Sequence, residues 1–166
     1  MNSLLEDLLI ALDKETVLYQ SLLYLLNREK QAVVGLATDD LSEINKEKEA
    51  LALKLRVFEK TRLELLKKLA EQMEISPDVL TLSYINDIVE EPYSTKLKTR
   101  SFLLLSLAHD IQELNRMNEK LISHSLDSIN GSISLLCNLM SSGSTYLNTG
   151  RLHNEGGDGW LVRGRV

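Results

Sequence analysis

Two consecutive stretches of the chain carry the same heptad pattern, and the second can be folded back onto the first with every layer matched. Residues of each seam recur at alternating steps of three and four, a spacing typical of left-handed coiled coils. The first seam comprises Leu5, Leu8, Leu12, Glu15, Tyr19, Leu22, Leu26, Glu29, Val33 and Leu36, and the second comprises Leu41, Ile44, Lys48, Leu51, Leu55, Phe58, Arg62, Leu65, Leu69 and Gln72. The spacing therefore predicts two long helices joined as an antiparallel hairpin.

Charged residues on the two seams match by sign as well as by layer. A reversal of the chain at residues 38–40 pairs positions whose numbers sum to 77, so the acids Glu15 and Glu29 lie opposite the bases Arg62 and Lys48. Because a carboxylate in an apolar seam is costly unless it is paired, these residues are interpreted as ion pairs that set the register of the hairpin. The alternative is that they are ordinary charges beside the seam with their heads in water, which leaves the hairpin unchanged.

Composition restricts the class of protein. The 166 residues suit a single domain, and a net charge of −5 with scattered basic residues does not favour a nucleic-acid surface. The start of the chain lacks a basic region, and no apolar run approaches the roughly 18 residues of a membrane span. We therefore expect a soluble cytoplasmic protein that binds no nucleic acid and does not insert directly into a membrane.

A third long helix is expected after the hairpin. Apolar positions beside the first seam also recur every seven residues, which makes that face wider than two helices need. A connector with both prolines, Pro77 and Pro92, is expected at residues 75–93. The predicted helices cover about residues 3–36, 41–74 and 94–140, and a flexible Gly/Ser-rich tail covers residues 141–166. The predicted fold is all-α: an antiparallel coiled-coil hairpin plus a third long helix, as an elongated three-helix bundle, with the helical domain at residues 1–140.

The end of the third helix carries a separate apolar stripe, here called the outer stripe. It comprises Ile122, Leu126, Ile129, Ile133, Leu136 and Met140, and it is out of phase with the seam that precedes it. By length, the third helix exceeds the hairpin by about 20 Å, at about 1.5 Å per residue. Gly131 weakens the helix here by about 1 kcal/mol relative to alanine. The outer stripe therefore needs the connector, a second copy of the chain or another protein to cover it, unless it is internal core.

No catalytic, cofactor or metal site is predicted. None of the three histidines has a glutamate three residues before it, the spacing that di-metal bundles use. No glycine-rich phosphate loop follows a strand, and the lone Cys137 cannot form an internal disulfide. The sequence therefore favours a binding protein over an enzyme.

Residues in all three helices and the tail carry a resemblance to a known family. In the hairpin these are Glu15, Tyr19, Leu22, Leu26, Glu29, Lys30, Lys48 and Arg62. In the third helix and tail they are Leu114, Asn115, Asn118, Leu121, Ile122, Ser125, Leu126, Ile129, Ile133, Leu136, Thr145, Tyr146 and Gly150. The helix with two asparagines and the Tyr-x-x-x-Gly tail are the more specific parts. Together they resemble the FlgN family of flagellar export chaperones.

The resemblance implies a bacterial cytoplasmic chaperone for two clients, the hook-associated proteins of the hook–filament junction. Such a chaperone binds the C-terminal segment of its client before export through the flagellar type III apparatus. Client binding in the family lies on the C-terminal helix, which here carries the outer stripe. The family's tail tyrosine, matched by Tyr146, docks on the cytoplasmic domain of the membrane protein that forms the export gate. An alternative is that Tyr146 is a tail anchor without a partner.

A second hypothesis is a coiled-coil scaffold or adaptor that dimerises and has no export role. In that case the outer stripe pairs with itself in a tight dimer, whereas a chaperone awaiting its client is a monomer or a weak homodimer. A third hypothesis is a regulator that acts by titrating another protein, because the sequence has no helix-turn-helix with a basic face.

Overall fold

A computed structural model of the protein describes residues 1–76 and 80–141. The described residues contain the helices α1 (Asn2–Val34), α2 (Thr38–Gln72), α3 (Leu82–Ile88) and α4 (Tyr93–Ser141), and they contain no strand. The predicted all-α fold is confirmed. The chain divides into two compact units, Met1–Ser123 and His124–Val166, which are described separately below.

Helices α1 and α2 form the predicted antiparallel hairpin in the first unit. Most predicted seam residues of α1 are buried, and those of α2 are buried or half-buried except Gln72, which is exposed at the end of the helix. Leu8 and Leu69 are fully inaccessible to solvent. Full burial of a leucine contributes about 1.5–3 kcal/mol to the free energy of unfolding. The hairpin is therefore held together by a continuous apolar seam that is interrupted only at its charged layers.

The turn of the hairpin lies earlier than predicted, and Leu36 is not a seam residue. Helix α1 ends at Val34, and Leu36 follows with a φ of 53° and 65% exposure. The Ala37 amide donates to the Ala32 carbonyl oxygen at 2.9 Å, and the Leu36 amide donates to the Val33 carbonyl oxygen at 3.2 Å. These two bonds form a Schellman motif, which requires a left-handed residue directly after the cap. The seam pattern continued to Leu36, but the backbone reverses there and turns its side chain outward.

Helix α2 differs from the prediction at both ends. It begins at Thr38 rather than near residue 41, and it ends at Gln72 rather than at residue 74. A second Schellman motif ends it: Glu74 has a φ of 54°, and the Ile75 amide donates to the Ala70 carbonyl oxygen at 3.0 Å. Ile75 then packs against the core of the first unit, so the motif directs the chain back across the bundle.

The connector contains the short helix α3. Its N-cap is Thr81, whose hydroxyl accepts a hydrogen bond from the Tyr84 amide at 3.2 Å, as is typical of threonine at this position. Ile85 is buried in the core of the first unit. The Asn86 carbonyl oxygen accepts a bond from the Ser94 hydroxyl at 2.7 Å, which ties α3 to the start of α4. The predicted local start at Pro77 lies outside the described residues.

Helix α4 runs parallel to α1 in the first unit. Its residues meet residues of α1 that lie 87 to 89 positions earlier in the sequence. The contacts are Tyr93 Oη to Glu6, Arg100 to Asp13 and Asn118 to Glu29. Leu97 and Leu104 of α4 are buried in the same core as residues of α1 and α2. The first unit is thus a helical bundle in which α4 supplies the third long helix that the wide face of α1 predicted.

Candidate functional site

A polar layer joins three helices at the level of Glu29. The Lys48 ammonium donates to one carboxylate oxygen of Glu29 at 2.8 Å, and the Asn118 amide donates to the other at 2.9 Å. The same amide nitrogen donates to the Leu26 carbonyl oxygen at 2.8 Å. Asn118 is only 1% exposed, and its side-chain oxygen has no hydrogen-bond partner among the described residues. Asn118 is thus held only through its amide nitrogen, against two acceptors of α1.

A second charged layer joins α1 and α2. The Arg62 guanidinium donates to the Glu15 carboxylate at 3.0 Å, and Glu15 is buried. Burial raises the pKa of Glu15 above its ordinary value, and the Arg62 guanidinium lowers that pKa only in part. The structure therefore brings both predicted pairs, Glu15 with Arg62 and Glu29 with Lys48, into contact. In both layers the carboxylate of α1 is bonded to a base of α2.

The outer stripe lies on the surface of α4. Every described side chain from residue 126 to residue 140 is exposed. The exposed fractions in the stripe run from 45% at Ile129 to 82% at Met140, with Leu126, Ile133 and Leu136 between these values. Ile122 differs from the rest because it lies in the first unit and is partly buried. The second unit thus presents five large apolar side chains of the stripe to solvent.

Two further leucines belong to this surface and were missed by the sequence analysis. Leu135 and Leu139 are each 61% exposed. They lie outside the phase of the outer stripe, so a search for a single stripe passes over them. A heptad count continued from Leu121 does reach them, since it passes through residues 125, 128, 132, 135 and 139.

The surroundings of the outer stripe carry little charge. Asp127 is the only Asp, Glu, Lys or Arg between residues 121 and 140. Ser132 and Ser134 donate their hydroxyls to the carbonyl oxygens of Ser128 and Asn130, both at 2.9 Å. These serines are therefore already bonded to their own helix, which leaves the face suited to apolar contact rather than to ionic recognition.

A separate groove between α1 and α2 was not predicted. Val17 and Tyr24 line it from α1, and Glu47 and Lys54 line it from α2. Val17 and Tyr24 are exposed, and they share their heptad position with the exposed Ile10. Charges from α2 lie beside these apolar residues, so the groove is less uniformly apolar than the outer stripe.

Neither a cluster that could hold a metal ion nor a helix that could span a membrane is found among the described residues. Residues 1–76 and 80–141 hold no group of three or more His, Cys, Asp or Glu side chains placed to bind a metal ion. Within the same ranges no helix combines the length and the apolar character needed to cross a bilayer. Tyr146, the residue predicted to dock on the export gate, lies outside the described residues.

Comparison with known proteins identifies the family. A family model described as FlgN protein matches residues 1–154. The chain belongs to the FlgN family. No curated protein and no solved structure gave a significant match. The FlgN family comprises flagellar export chaperones rather than enzymes. The matched range includes both charged layers, the outer stripe and Tyr146, and it extends four residues beyond Gly150, where the sequence resemblance ended.

Proposed function

We propose that this FlgN-family chain is a bacterial cytoplasmic chaperone that binds the C-terminal helices of flagellar hook-associated proteins. In this proposal the chaperone delivers them to the flagellar type III export gate. The observation that supports it is the exposure of the outer stripe in residues 126–140. Family membership supports the flagellar setting, and the stripe supports a place for the client on this chain.

The outer stripe has the form of a helix-docking surface. Its members recur at steps of three and four, so they lie along one face of α4. Soluble monomers rarely expose contiguous apolar patches of this kind unless the patch binds something. Each apolar side chain that becomes fully buried against a client contributes about 1.5–3 kcal/mol, before the cost of ordering the client is subtracted.

The proposed mechanism is coupled folding and binding. A client segment that is disordered alone folds as a helix against the outer stripe. This contact covers the apolar face of the client and so protects the client from aggregation. No step requires ATP, because the client leaves when the export gate competes for it. Tyr146 is proposed to contact the cytoplasmic domain of the gate protein while the client is held by α4.

The test of client binding uses one double variant and one matched control. Ile129→Asp with Ile133→Asp places two charges in the outer stripe, whereas Ser134→Asp places one charge on the residue after Ile133, outside the stripe. We expect the double variant to abolish binding of the hook-associated C-terminal segment in calorimetry, and Ser134→Asp to retain it. Helical content and melting of the free protein should hold in both, because the substituted side chains are exposed. Retained binding by the double variant contradicts the proposal, and unfolding of that variant shows that the stripe is core.

Stoichiometry separates the chaperone from the dimerising scaffold. The same exposed stripe supports self-pairing, so sedimentation is measured with and without the client segment. A monomer or weak dimer that becomes a one-to-one complex supports the chaperone. A tight dimer at micromolar concentration that the client does not dissociate supports the scaffold.

The gate contact is tested at Tyr146 alone. Tyr146→Ala should lower binding to the gate protein's cytoplasmic domain and reduce motility while client binding stays unchanged. Tyr146→Phe shows whether the hydroxyl or the ring is needed. Unchanged gate binding and motility in Tyr146→Ala contradict this part of the proposal and leave client binding untouched.

A further inference from the structure

One heptad line of α4 runs through Leu104, Leu107, Ile111, Leu114, Asn118 and Leu121, and its spacing continues past Leu121 without a break. Counting on by four and three gives a line that we call the serine line: Ser125, Ser128, Ser132, Leu135 and Leu139. Ser125 is partly buried, and the other four side chains are exposed. The second unit therefore carries two heptad lines on one helix, of which the outer stripe is the more apolar.

The two lines are offset by one residue throughout. Leu126, Ile129, Ile133, Leu136 and Met140 each follow a member of the serine line directly. One residue turns an α-helix by about 100°, so the lines lie side by side on the helix surface. Together they occupy roughly half of its circumference. Asp127 and Ser134 lie on the remaining face, so the one charged residue in this stretch points away from both lines.

We infer that residues 125–140 bind a pair of client helices, one packed on the outer stripe and the other on the serine line. This inference rests on the proposed function, because it takes the client to bind this segment. A single partner helix in a coiled coil covers one narrow heptad seam, so a lone helix on the outer stripe leaves Leu135 in water. A second helix beside the first covers Leu135, and the serines of the line let it approach α4 closely at the level of residues 125–132.

The composition of the segment also describes the client surface. Neither line contains a charged residue, so the contacting faces of both client helices are uncharged, and the face on the outer stripe is apolar. Ionic contacts are consequently minor, and affinity for the pair should change less than about twofold between 50 mM and 500 mM salt. The preferred client is therefore a pair of adjacent helices with uncharged contact faces rather than a single amphipathic helix with charged flanks.

The experiment compares adjacent leucines on the two lines. Leu135→Ser continues the serine line with its own residue type, and Leu136→Ser makes the same change in the outer stripe. Both side chains are exposed, so the free protein should keep its helical content by circular dichroism. The probes are the hook-associated C-terminal segment containing two helices and the separate peptides for each helix, with affinities measured by calorimetry.

The results separate this inference from the proposed function. We expect Leu136→Ser to weaken the two-helix segment about tenfold, and Leu135→Ser to weaken it by a similar factor without changing the single peptide that binds the outer stripe. If Leu136→Ser weakens binding but Leu135→Ser does not, or if one peptide binds as tightly as the pair, the two-helix inference is wrong while the client site stands. If neither substitution changes binding, the proposed site itself is wrong, and the inference falls with it.

Discussion

Asn118 of α4 donates its side-chain amide to the Glu29 carboxylate of α1 at 2.9 Å, and Lys48 of α2 donates to the other oxygen of that carboxylate. One acid thus joins the three long helices of the first unit at a single level. A slip of α4 by one heptad would place Ile111 or Ser125 beside Glu29 in place of the asparagine. Ile111 has no side-chain donor, and the Ser125 hydroxyl has one hydrogen where the Asn118 amide bonds both Glu29 and the Leu26 carbonyl oxygen. This layer therefore favours one alignment of α4 over its neighbours, as buried polar residues do in coiled coils.

Removal of the Asn118 amide should destabilise the bundle. Asn118→Ala leaves one oxygen of the buried Glu29 without its donor, and we expect a loss of about 1–3 kcal/mol in the free energy of unfolding by urea. Asn118→Asp should cost more at pH 7, since it places a second carboxylate beside Glu29, and less at pH 4. Asn115→Ala is the matched control, because among the described residues the Asn115 side chain bonds to Glu119 of its own helix, and it should cost less than about 0.5 kcal/mol. Equal costs at the two asparagines would contradict the bridging role.

Loss of the Arg62 guanidinium should destabilise the hairpin much more than loss of a surface arginine. Arg62→Leu leaves Glu15 buried without its base, at a cost of about 3 kcal/mol at pH 7, whereas Glu15→Leu with Arg62→Leu should recover most of that loss. Arg28→Leu breaks the exposed pair with Glu47 and should cost at most about 1 kcal/mol. Urea unfolding of these three variants and of the wild-type protein measures these values. A double variant no more stable than Arg62→Leu would show that the pair itself stabilises the fold.

Stability should depend on pH through Glu15. Burial raises the folded pKa of Glu15 above its ordinary value of 4.5, so the folded state binds more protons than the unfolded state just above that value. The contribution of Glu15 is therefore fully present below its unfolded pKa and is lost as the pH rises through the folded pKa. Relative to Glu15→Gln, which does not titrate, the wild-type protein should lose stability as the pH rises from about 4 to 7. Urea midpoints of both proteins across this range, repeated at high salt, measure the effect. If the stability of the wild-type protein relative to Glu15→Gln increased with pH, the raised pKa of Glu15 would be contradicted.

The charge pattern predicted the hairpin register, and the same pattern misplaced its turn. Opposite charges 47 residues apart, as in Glu15 and Arg62, meet in the structure because an antiparallel pairing with a constant sum leaves little freedom in the layers. The heptad count could not show that α1 ends before Leu36. That end depends on a left-handed backbone at a leucine, whereas the sequence offers glycine one position earlier, at Gly35. Periodicity indicates which face of a helix a residue would occupy, but it does not indicate where the helix ends.

Some residues of the candidate site were predicted from the sequence and others were missed, again because periodicity does not show how the helices align. The outer stripe follows from spacing alone, because large apolar residues on one face are visible in the sequence. The role of Asn118 was missed, since its bond to Glu29 depends on the alignment of α4 with α1, which no pattern in the hairpin specifies. Leu135 was missed because three serines precede it on its line and conceal the continuing heptad. A heptad count from Leu121 does reach Leu135, but only when the three serines before it are accepted as seam positions.

Gly131 should control how firmly the client-binding segment holds its helix. A methyl group added at Gly131 meets no atom within 4 Å, and the residue lies outside both heptad lines. Gly131→Ala should therefore stabilise the helix locally by about 0.5–1 kcal/mol through reduced backbone entropy. Amide exchange of residues 126–140 should slow by about two- to fivefold, and client affinity should rise by no more than the same factor, because less ordering is needed on binding.

Gly131→Pro provides the opposite change at the same position. It removes a helical hydrogen bond and should speed exchange and weaken client binding, while the melting of the first unit stays unchanged. Hydrogen exchange by mass spectrometry and calorimetry with the client segment measure both variants. If Gly131→Ala slows exchange but weakens binding, the client needs this helix to open rather than to persist. That result would contradict docking on a preformed helical face, and with it the helix-on-helix mechanism proposed for this chain.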